Sequence, residues 1–169
     1  VPLASLEAMR RGMVGCGIDK CNKILLFDGL MDSNSLFLTG NTDTIYAFGI
    51  LDLARDGPTV VEIPAGAGPG TVNDAYFRFV TDMGPPGPDR GQGGKYLIYP
   101  PGSDTSKAPG GYFVSESPTF INWLPLRAFL KDGKTDAATK MWKEGLKLYP
   151  LAEADKPRQL ETVSGTGVI

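Results

Sequence analysis

The chain has 169 residues, 41% hydrophobic and 21% charged, a composition typical of a globular domain and not of a disordered chain. Its 17 basic and 19 acidic residues leave a formal net charge of -2, so it lacks the positive field that holds a nucleic-acid backbone, and we expect no nucleic-acid partner. Its apolar runs are shorter than the roughly 18 residues of a membrane-spanning helix, and the length predicts a single domain over residues 1–169.

The N-terminal segment predicts an amphipathic helix over residues 2–14. Leu3, Leu6, Met9 and Met13 recur at steps of three and four, which places them on one face of a helix. Pro2 suits the first turn, and glycines follow the last apolar residues.

Two cysteines follow this segment. Cys16 and Cys21 are five positions apart, a spacing that fits neither a Cys-x-x-Cys redox pair nor half of a zinc site. We interpret them as two ordinary thiols, with a disulfide or a ligand pair as the alternative. The apolar residues 24–27 fit a buried strand or a short helix, and residues 31–34 fit a loop.

The middle of the chain is a series of short apolar runs separated by glycine-rich and proline-rich turns, which indicates strands. An Asp-Gly turn at residues 55–57 predicts a hairpin between the first two runs. Residues 66–70 and the long stretch 83–94 are predicted to be loops. The predicted strands are residues 44–53, 58–64, 72–83, 95–99 and 111–115.

The C-terminal third favours helices. Residues 117–130 carry a Ser-Pro start and a helical stripe of apolar side chains, and Pro125 is expected to kink this helix. A second helix is predicted over 135–148, and residues 158–163 fit a final strand. The predicted fold is α+β, with a mainly antiparallel sheet and helices at both chain ends.

The sequence contains no histidine, which removes the commonest general base unless another chain supplies one. The glycine-rich stretches 66–70 and 91–95 resemble dinucleotide and phosphate loops, but each lacks a required residue and leads into a strand. Without histidine and with only two cysteines no zinc or copper site can be written. No EF-hand calcium loop is present; an all-oxygen calcium site is the alternative to solvated or capping roles for Asp28, Asp32, Asp43, Asp74 and Asp82. We therefore predict no cofactor and no metal site.

Polar side chains cluster near the starts of two predicted strands, at residues 41–46 and 73–82. Burial beside apolar residues would fix such side chains in hydrogen bonds and shift their pKa values, as at the rim of a binding or catalytic site. Structural roles at strand ends are the alternative. The candidate catalytic residues are Asp43, Tyr46, Asp74 and Arg78. The candidate ligand-binding residues are Asn41, Asp43, Tyr46, Asn73, Asp74, Asp82 and Lys95.

Six stretches of the chain match one family pattern. They are NTDTIY at 41–46, DL at 52–53, GPTVVEIP at 57–64, GTVNDA at 70–75, GGKYLI at 93–98 and GYFV at 111–114. In order and spacing they resemble the bacterial family called domain of unknown function 1254. The resemblance implies a β-rich, jelly-roll-like sandwich without an established activity, and a periplasmic or secreted location. It also implies that residues 1–169 are the N-terminal part of a longer protein, followed by a second domain of unknown function, family 1214.

Three functions stay open at this point. The first is a binding module, or half of an enzyme completed by a partner domain, that holds a small polar organic ligand. The second is a hydrolase, because two carboxyl groups across a cleft can do acid and base work without imidazole. The third is a structural, self-assembling protein, since uncovered strand edges readily pair with other copies and form homo-oligomers.

Overall fold

The structure is a computed structural model that describes residues 1–31 and 42–166. Its helices are α1 (Pro2–Gly15), α2 (Leu53–Asp56) and α3 (Asp136–Gly145). Its strands are β1 (Lys23–Leu26), β2 (Thr44–Asp52), β3 (Thr59–Ile63), β4 (Gly70–Asn73), β5 (Phe79–Met83), β6 (Gly94–Tyr99), β7 (Phe113–Glu116), β8 (Ile121–Phe129), β9 (Lys147–Pro150) and β10 (Glu161–Ser164). None of the helices in these ranges is long and apolar enough to cross a membrane.

The strands form two sheets. The six-stranded sheet has the order β10-β1-β2-β8-β4-β5, and the four-stranded sheet has the order β7-β6-β3-β9. The pairs β1–β10 and β6–β7 are parallel, and the other pairs between described strands are antiparallel. The predicted α+β class with mainly antiparallel strands is confirmed. The jelly-roll connectivity that the resemblance implies stays a prediction.

The inner faces of the two sheets pack against each other and form the main core. Along β2, Ile45, Ala47 and Leu51 point inward and are at most 1% exposed. From the other sheet, Val61 and Ile98 belong to the same apolar cluster and are fully buried. Successive residues of a strand point to opposite faces, so the residues between these positions lie on the outer face of each sheet.

Helix α1 covers part of the outer face of the six-stranded sheet, and it confirms the helix predicted over residues 2–14. Met13 of α1 and Ile18, just beyond it, form one apolar cluster with Leu25 of β1 and Phe48 of β2. The helix therefore lies over β1 and β2. The outer faces of β8, β4 and β5, further along the sheet, contribute to a cavity instead.

The helix predicted over residues 117–130 is wrong. The segment forms β8, which pairs with β2 over nine residues, from Thr44 opposite Phe129 to Asp52 opposite Ile121. Its buried side chains recur at every second position from Asn122 to Ala128, which is the period of a strand. Pairing with a long neighbouring strand prevails here over the helical spacing of the apolar residues.

Two predicted strand connections also differ from the structure. The strand predicted over residues 72–83 is two strands, β4 and β5, joined by a loop in which Phe77 has a φ of 59°. The hairpin predicted at residues 55–57 is absent, because β2 and β3 belong to different sheets and α2 connects them. Asp52 begins α2 by accepting a hydrogen bond from the backbone N–H of Arg55.

The C-terminal elements are strands as well as a helix. Helix α3 ends at Gly145 rather than at residue 148, and the next residues form β9 beside β3. β10 confirms the strand predicted near residues 158–163, and β1 shows that residues 24–27 begin as a strand. The prediction of a helix at the C-terminal end is not met in the described residues, because β9 and β10 add to the edges of the two sheets.

Candidate functional site

A cavity of about 410 Å³ lies on the outer face of the six-stranded sheet. Ligand sites for small organic molecules have volumes of roughly 300–1,000 Å³. Strands β2, β8, β4 and β5 supply most of its lining. The lining residues are Met31, Tyr46, Phe48, Pro69, Gly70, Thr71, Asn73, Asp82, Pro86, Trp123, Pro125 and Arg127.

The outward-pointing residues of β2 and β8 build the floor of the cavity. The antiparallel register places Tyr46 opposite Arg127 and Phe48 opposite Pro125, and Trp123 lies two positions before Pro125. Because every second residue of a strand points to the same face, these five side chains share one surface. The residues between them are buried in the core on the other side of the sheet.

Aromatic rings form a continuous row that begins on this floor and ends at Phe77 of the β4–β5 loop. The ring centroids of Tyr46 and Phe48 are 5.5 Å apart, those of Phe48 and Trp123 are 5.6 Å apart, and those of Trp123 and Phe77 are 5.7 Å apart. Tilted and edge-to-face ring pairs at these distances stabilise each other. The indole N–H of Trp123 is buried, and no acceptor for it exists among the described residues.

Two oppositely charged side chains lie on different sides of the cavity. The guanidinium carbon of Arg127 is 5.3 Å from the centre of the Tyr46 ring, a cation–π contact. Asp82 is half-buried on β5, opposite Thr71 of β4. Within residues 1–31 and 42–166, neither Arg127 nor Asp82 has an ion-pair partner, and the Asp82 carboxylate accepts no hydrogen bond.

Uncharged polar groups of β4 lie between these charges. The Thr71 hydroxyl donates to the carbonyl of Thr81 at 3.0 Å. The Asn73 amide nitrogen is 3.5 Å from the Arg78 carbonyl, which is long for a hydrogen bond. The Asn73 amide therefore keeps most of its hydrogen-bonding capacity for a molecule in the cavity.

Asp74 and Arg78 hold the β4–β5 loop and do not line the cavity. The buried Asp74 carboxylate accepts hydrogen bonds from the backbone N–H groups of Tyr76 at 2.8 Å and Arg78 at 2.9 Å, and from Nε of Arg78 at 2.6 Å. Burial by itself raises the pKa of Asp74, but these hydrogen bonds outweigh burial and hold the pKa below its usual value. The geometry is that of a loop-forming carboxylate.

The other predicted site residues lie outside the cavity. Lys95 is exposed on β6 of the other sheet, with its ammonium nitrogen 3.3 Å from the Glu62 carboxylate. Asp43 is exposed just before β2 and is not among the lining residues. Asn41 lies outside the described residues. From the predicted ligand-binding set, the cavity brings together Tyr46, Asn73 and Asp82.

Sequence reasoning missed the residues that β8 contributes, Trp123, Pro125 and Arg127. In the helical interpretation of residues 117–130, Trp123 and Arg127 share one face and Pro125 lies on the opposite face, so the three side chains do not line one site. The useful signal was the alternation of large or charged residues with Leu124 and Leu126, which predicts one shared outer face.

Comparisons with known proteins give a family and a fold. The family model described as "Protein of unknown function (DUF1254)" matches residues 21–150, which confirms the resemblance seen in the sequence. Among solved structures, the chain is similar to the VPA0106 protein from Vibrio parahaemolyticus, with 19% sequence identity and a TM-score of 0.59. The match covers 73% of this chain and 32% of that chain, so this chain spans about a third of that protein's length. No curated protein matches this chain.

Proposed function

The chain belongs to the DUF1254 family of proteins of unknown function, and we propose that it binds a small polar organic ligand in the cavity on the outer face of the six-stranded sheet. The composition of the lining carries this proposal. Aromatic and proline side chains surround a few polar groups, among them those of Asn73, Asp82 and Arg127. Small-molecule sites combine an apolar lining, which excludes water, with a few polar groups, which orient the ligand.

The position of the floor in the fold supports a site that exists before the ligand arrives. β2 and β8 are paired along nine residues near the middle of the sheet, and the ring of Phe48 is also held by Phe27, with centroids 5.2 Å apart. Side chains on paired strands keep their geometry better than side chains on loops. Binding therefore requires little ordering of the protein, which favours affinity.

A second concavity, of about 430 Å³, lies beside α3, and its composition supports the choice of the first. It is lined by Asp28, Thr135, Asp136, Thr139, Lys140, Lys143 and Glu144. These side chains are all polar or charged, so the apolar surface of the concavity comes from their aliphatic stems and methyl groups, without an aromatic ring or an apolar residue. The aromatic cavity is therefore the stronger candidate.

Binding fits the cavity better than hydrolysis by carboxylates. Hydrolysis of that kind uses two carboxyl groups across the substrate, roughly 5–10 Å apart. Asp82 supplies the one carboxylate among the described lining residues, while Asp74 is committed to its loop. A catalytic role would therefore depend on groups from a partner domain, which is the half-enzyme form of the proposal.

The context of the whole protein is also a proposal. A second domain in the same polypeptide and a periplasmic or secreted location rest on the family resemblance. Homo-oligomer formation rests on the strand edges of the two sheets, where β5, β7, β9 and β10 each pair with one strand among the described residues.

Saturation-transfer NMR with a library of small polar organic compounds tests the binding proposal. Pro86 lines the cavity, whereas Pro88 is exposed in the same loop and does not line it. We expect compounds to bind the wild-type protein and Pro88→Trp, and to lose binding to Pro86→Trp, whose indole occupies part of the cavity. Equal binding to both variants, or no binding to the wild type, contradicts the proposal.

A further inference from the structure

We infer that the ligand is an extended zwitterion, with a carboxylate at Arg127 and an ammonium group at Asp82, the chemistry of a free peptide of two or three residues. This inference rests on the proposed function, because it specifies the ligand of the same cavity. The two charged side chains, their separation and the surface between them carry it.

Arg127 provides the positive charge that binds the carboxylate of the ligand. Arg127 is an exposed residue of β8, and its guanidinium carbon lies 5.3 Å from the centre of the ring of Tyr46, its cross-strand neighbour. This cation–π contact restrains the planar group and leaves N–H donors for an acceptor. No carboxylate pairs with it in the part of the chain that the structure describes. A guanidinium edge matches the two oxygens of a ligand carboxylate.

Asp82 provides the negative charge that binds the ammonium group of the ligand. It is half-buried on β5, and no described N–H or O–H group donates to its carboxylate. A partly buried carboxylate without donors is poorly solvated, so a ligand that brings hydrogen-bond donors is favoured. An ammonium group supplies three donors and the opposite charge.

The positions of Arg127 and Asp82 in the sheet set the distance between the two charges. Arg127 lies on β8 and Asp82 on β5, with β4 between them, and Asp82 is level with Pro125, two residues along β8 from Arg127. Two strand spacings of about 4.8 Å and an offset of about 7 Å along the strands give about 12 Å. A charge-assisted hydrogen bond of about 2.8 Å at each end leaves about 6 Å between the charged groups of the ligand.

This length selects the ligand class. An extended chain spans about 3.3–3.6 Å per residue, so about 6 Å corresponds to two residues, or to three when the chain is not fully extended. A single α-amino acid is too short, because both its charges are attached to one carbon. The cavity surface beside the two charges carries Phe48, Trp123 and Pro125, which favours apolar side chains in the ligand.

Isothermal titration calorimetry with trialanine tests the inference. The probes are free trialanine, its C-terminal amide, its N-acetyl derivative, the doubly capped peptide, free alanine and a neutral disaccharide. We expect free trialanine to bind, each single cap to weaken binding about tenfold or more, and alanine and the disaccharide to show no binding. Equal binding of free and doubly capped peptide, or tighter binding of the disaccharide, overturns the inference.

Two variants test which residue binds each charged end of the peptide. In Arg127→Gln the C-terminal amide should bind as well as the free acid, and in Asp82→Asn the N-acetyl peptide should bind as well as the free amine. Arg90→Gln is the matched control, because Arg90 is exposed and lies outside the cavity. Thermal denaturation checks that each variant is folded. If the caps cost the variants as much as the wild type, the assignment is wrong.

The outcomes separate this inference from the proposed function. If trialanine fails to bind while other compounds bind in a manner lost in Pro86→Trp, the zwitterion is wrong and the cavity remains a binding site. If no compound binds, both proposals fail.

Discussion

Replacing Asp74 removes the carboxylate that holds the β4–β5 loop, and the expected result is a loss of stability. Its three hydrogen bonds come from the backbone of Tyr76, the backbone of Arg78 and the guanidinium of Arg78. One oxygen, Oδ1, accepts both backbone N–H groups. Asp74→Asn can keep an oxygen in that position, whereas Asp74→Ala leaves both N–H groups without their acceptor.

The size of the effect follows from these contacts. Each backbone N–H that loses its partner costs about 1 kcal/mol, the low end of the usual range because water reaches this surface loop. The ion pair adds no more than about 1 kcal/mol, since the Arg78 side chain is 61% exposed and screened by solvent. We expect Asp74→Ala to lose about 3 kcal/mol and Asp74→Asn about 1 kcal/mol. For a chain of this length the alanine variant should melt about 6–12 °C lower.

The effect depends on pH in a defined direction. Because the pKa of Asp74 in the folded protein lies below its unfolded value, its contribution is present above about pH 4 and is lost as the pH falls through the folded pKa. The difference between wild type and Asp74→Asn should therefore shrink in acid. Thermal denaturation followed by circular dichroism at pH 7 and pH 3 measures both quantities.

Asp82→Asn is the matched control for this experiment, because the Asp82 carboxylate accepts no hydrogen bond from the described residues. Its melting temperature should stay within about 2 °C of wild type. If Asp74→Ala melts like the wild type, or if Asp82→Asn loses as much stability as Asp74→Ala, the Asp74 carboxylate does not stabilise the loop in this way.

Three further properties follow from the structure. Burial raises the pKa of Cys21 to about 12, whereas Cys16 is only half-buried. A thiol reagent at pH 8 should therefore label one thiol in the native protein and two in denaturant, and native labelling of both would contradict this. Gly93→Ala should cost about 3 kcal/mol of stability in urea denaturation, because φ is +77° and the new Cβ would lie 2.6 Å from neighbouring backbone. Gly111→Ala, where φ is +88° and the Cβ meets open space, should cost about 1 kcal/mol, and equal costs would show that the close approach is unimportant. Burial, and then the neighbouring Glu62 carboxylate, raise the pKa of Tyr149 in the folded protein. Its contribution to stability is therefore present below about pH 10 and is lost as the pH rises further. Urea denaturation should show a steeper loss of stability in alkali for the wild type than for Tyr149→Phe, and parallel losses would contradict this.

The parts of the fold that could be predicted from sequence are those whose local pattern agrees with their tertiary partners. Leu6 and Met13 lie on one face of α1 and are both buried, as the spacing of the apolar residues predicts. In β6 the residues from Tyr96 onward are buried on both faces, and their continuous apolar run predicts such a strand.

β8 could not be predicted in the same way, because its local pattern favours another structure. Phe120, Trp123, Leu126 and Phe129 repeat every third residue, as in a helix, and proline is rare in central strands. The structure accommodates Pro125 because the register between β4 and β8 pairs Leu126 and Trp123 but not the proline between them. Only knowledge of the neighbouring strands reveals this irregular ladder.

The candidate site was partly predictable for the same reason. Tyr46, Asn73 and Asp82 lie on strands whose alternation is visible in the sequence, and all three line the cavity. Asp74 has the same polar surroundings in sequence, yet its carboxylate turns into the β4–β5 loop, where Phe77 adopts a positive φ. The strand predicted through residues 72–83 could not anticipate that turn.

The most direct test of ligand binding in this cavity is chemical-shift mapping of the ¹⁵N-labelled protein with a compound selected in the NMR screen. Ligand binding in the cavity should give saturable shifts at the backbone amides of Thr71, Asn73, Asp82 and Arg127 and at the indole of Trp123, and these shifts should be lost in Pro86→Trp. Shifts confined to the four-stranded sheet or to the surface beside α3 would contradict it.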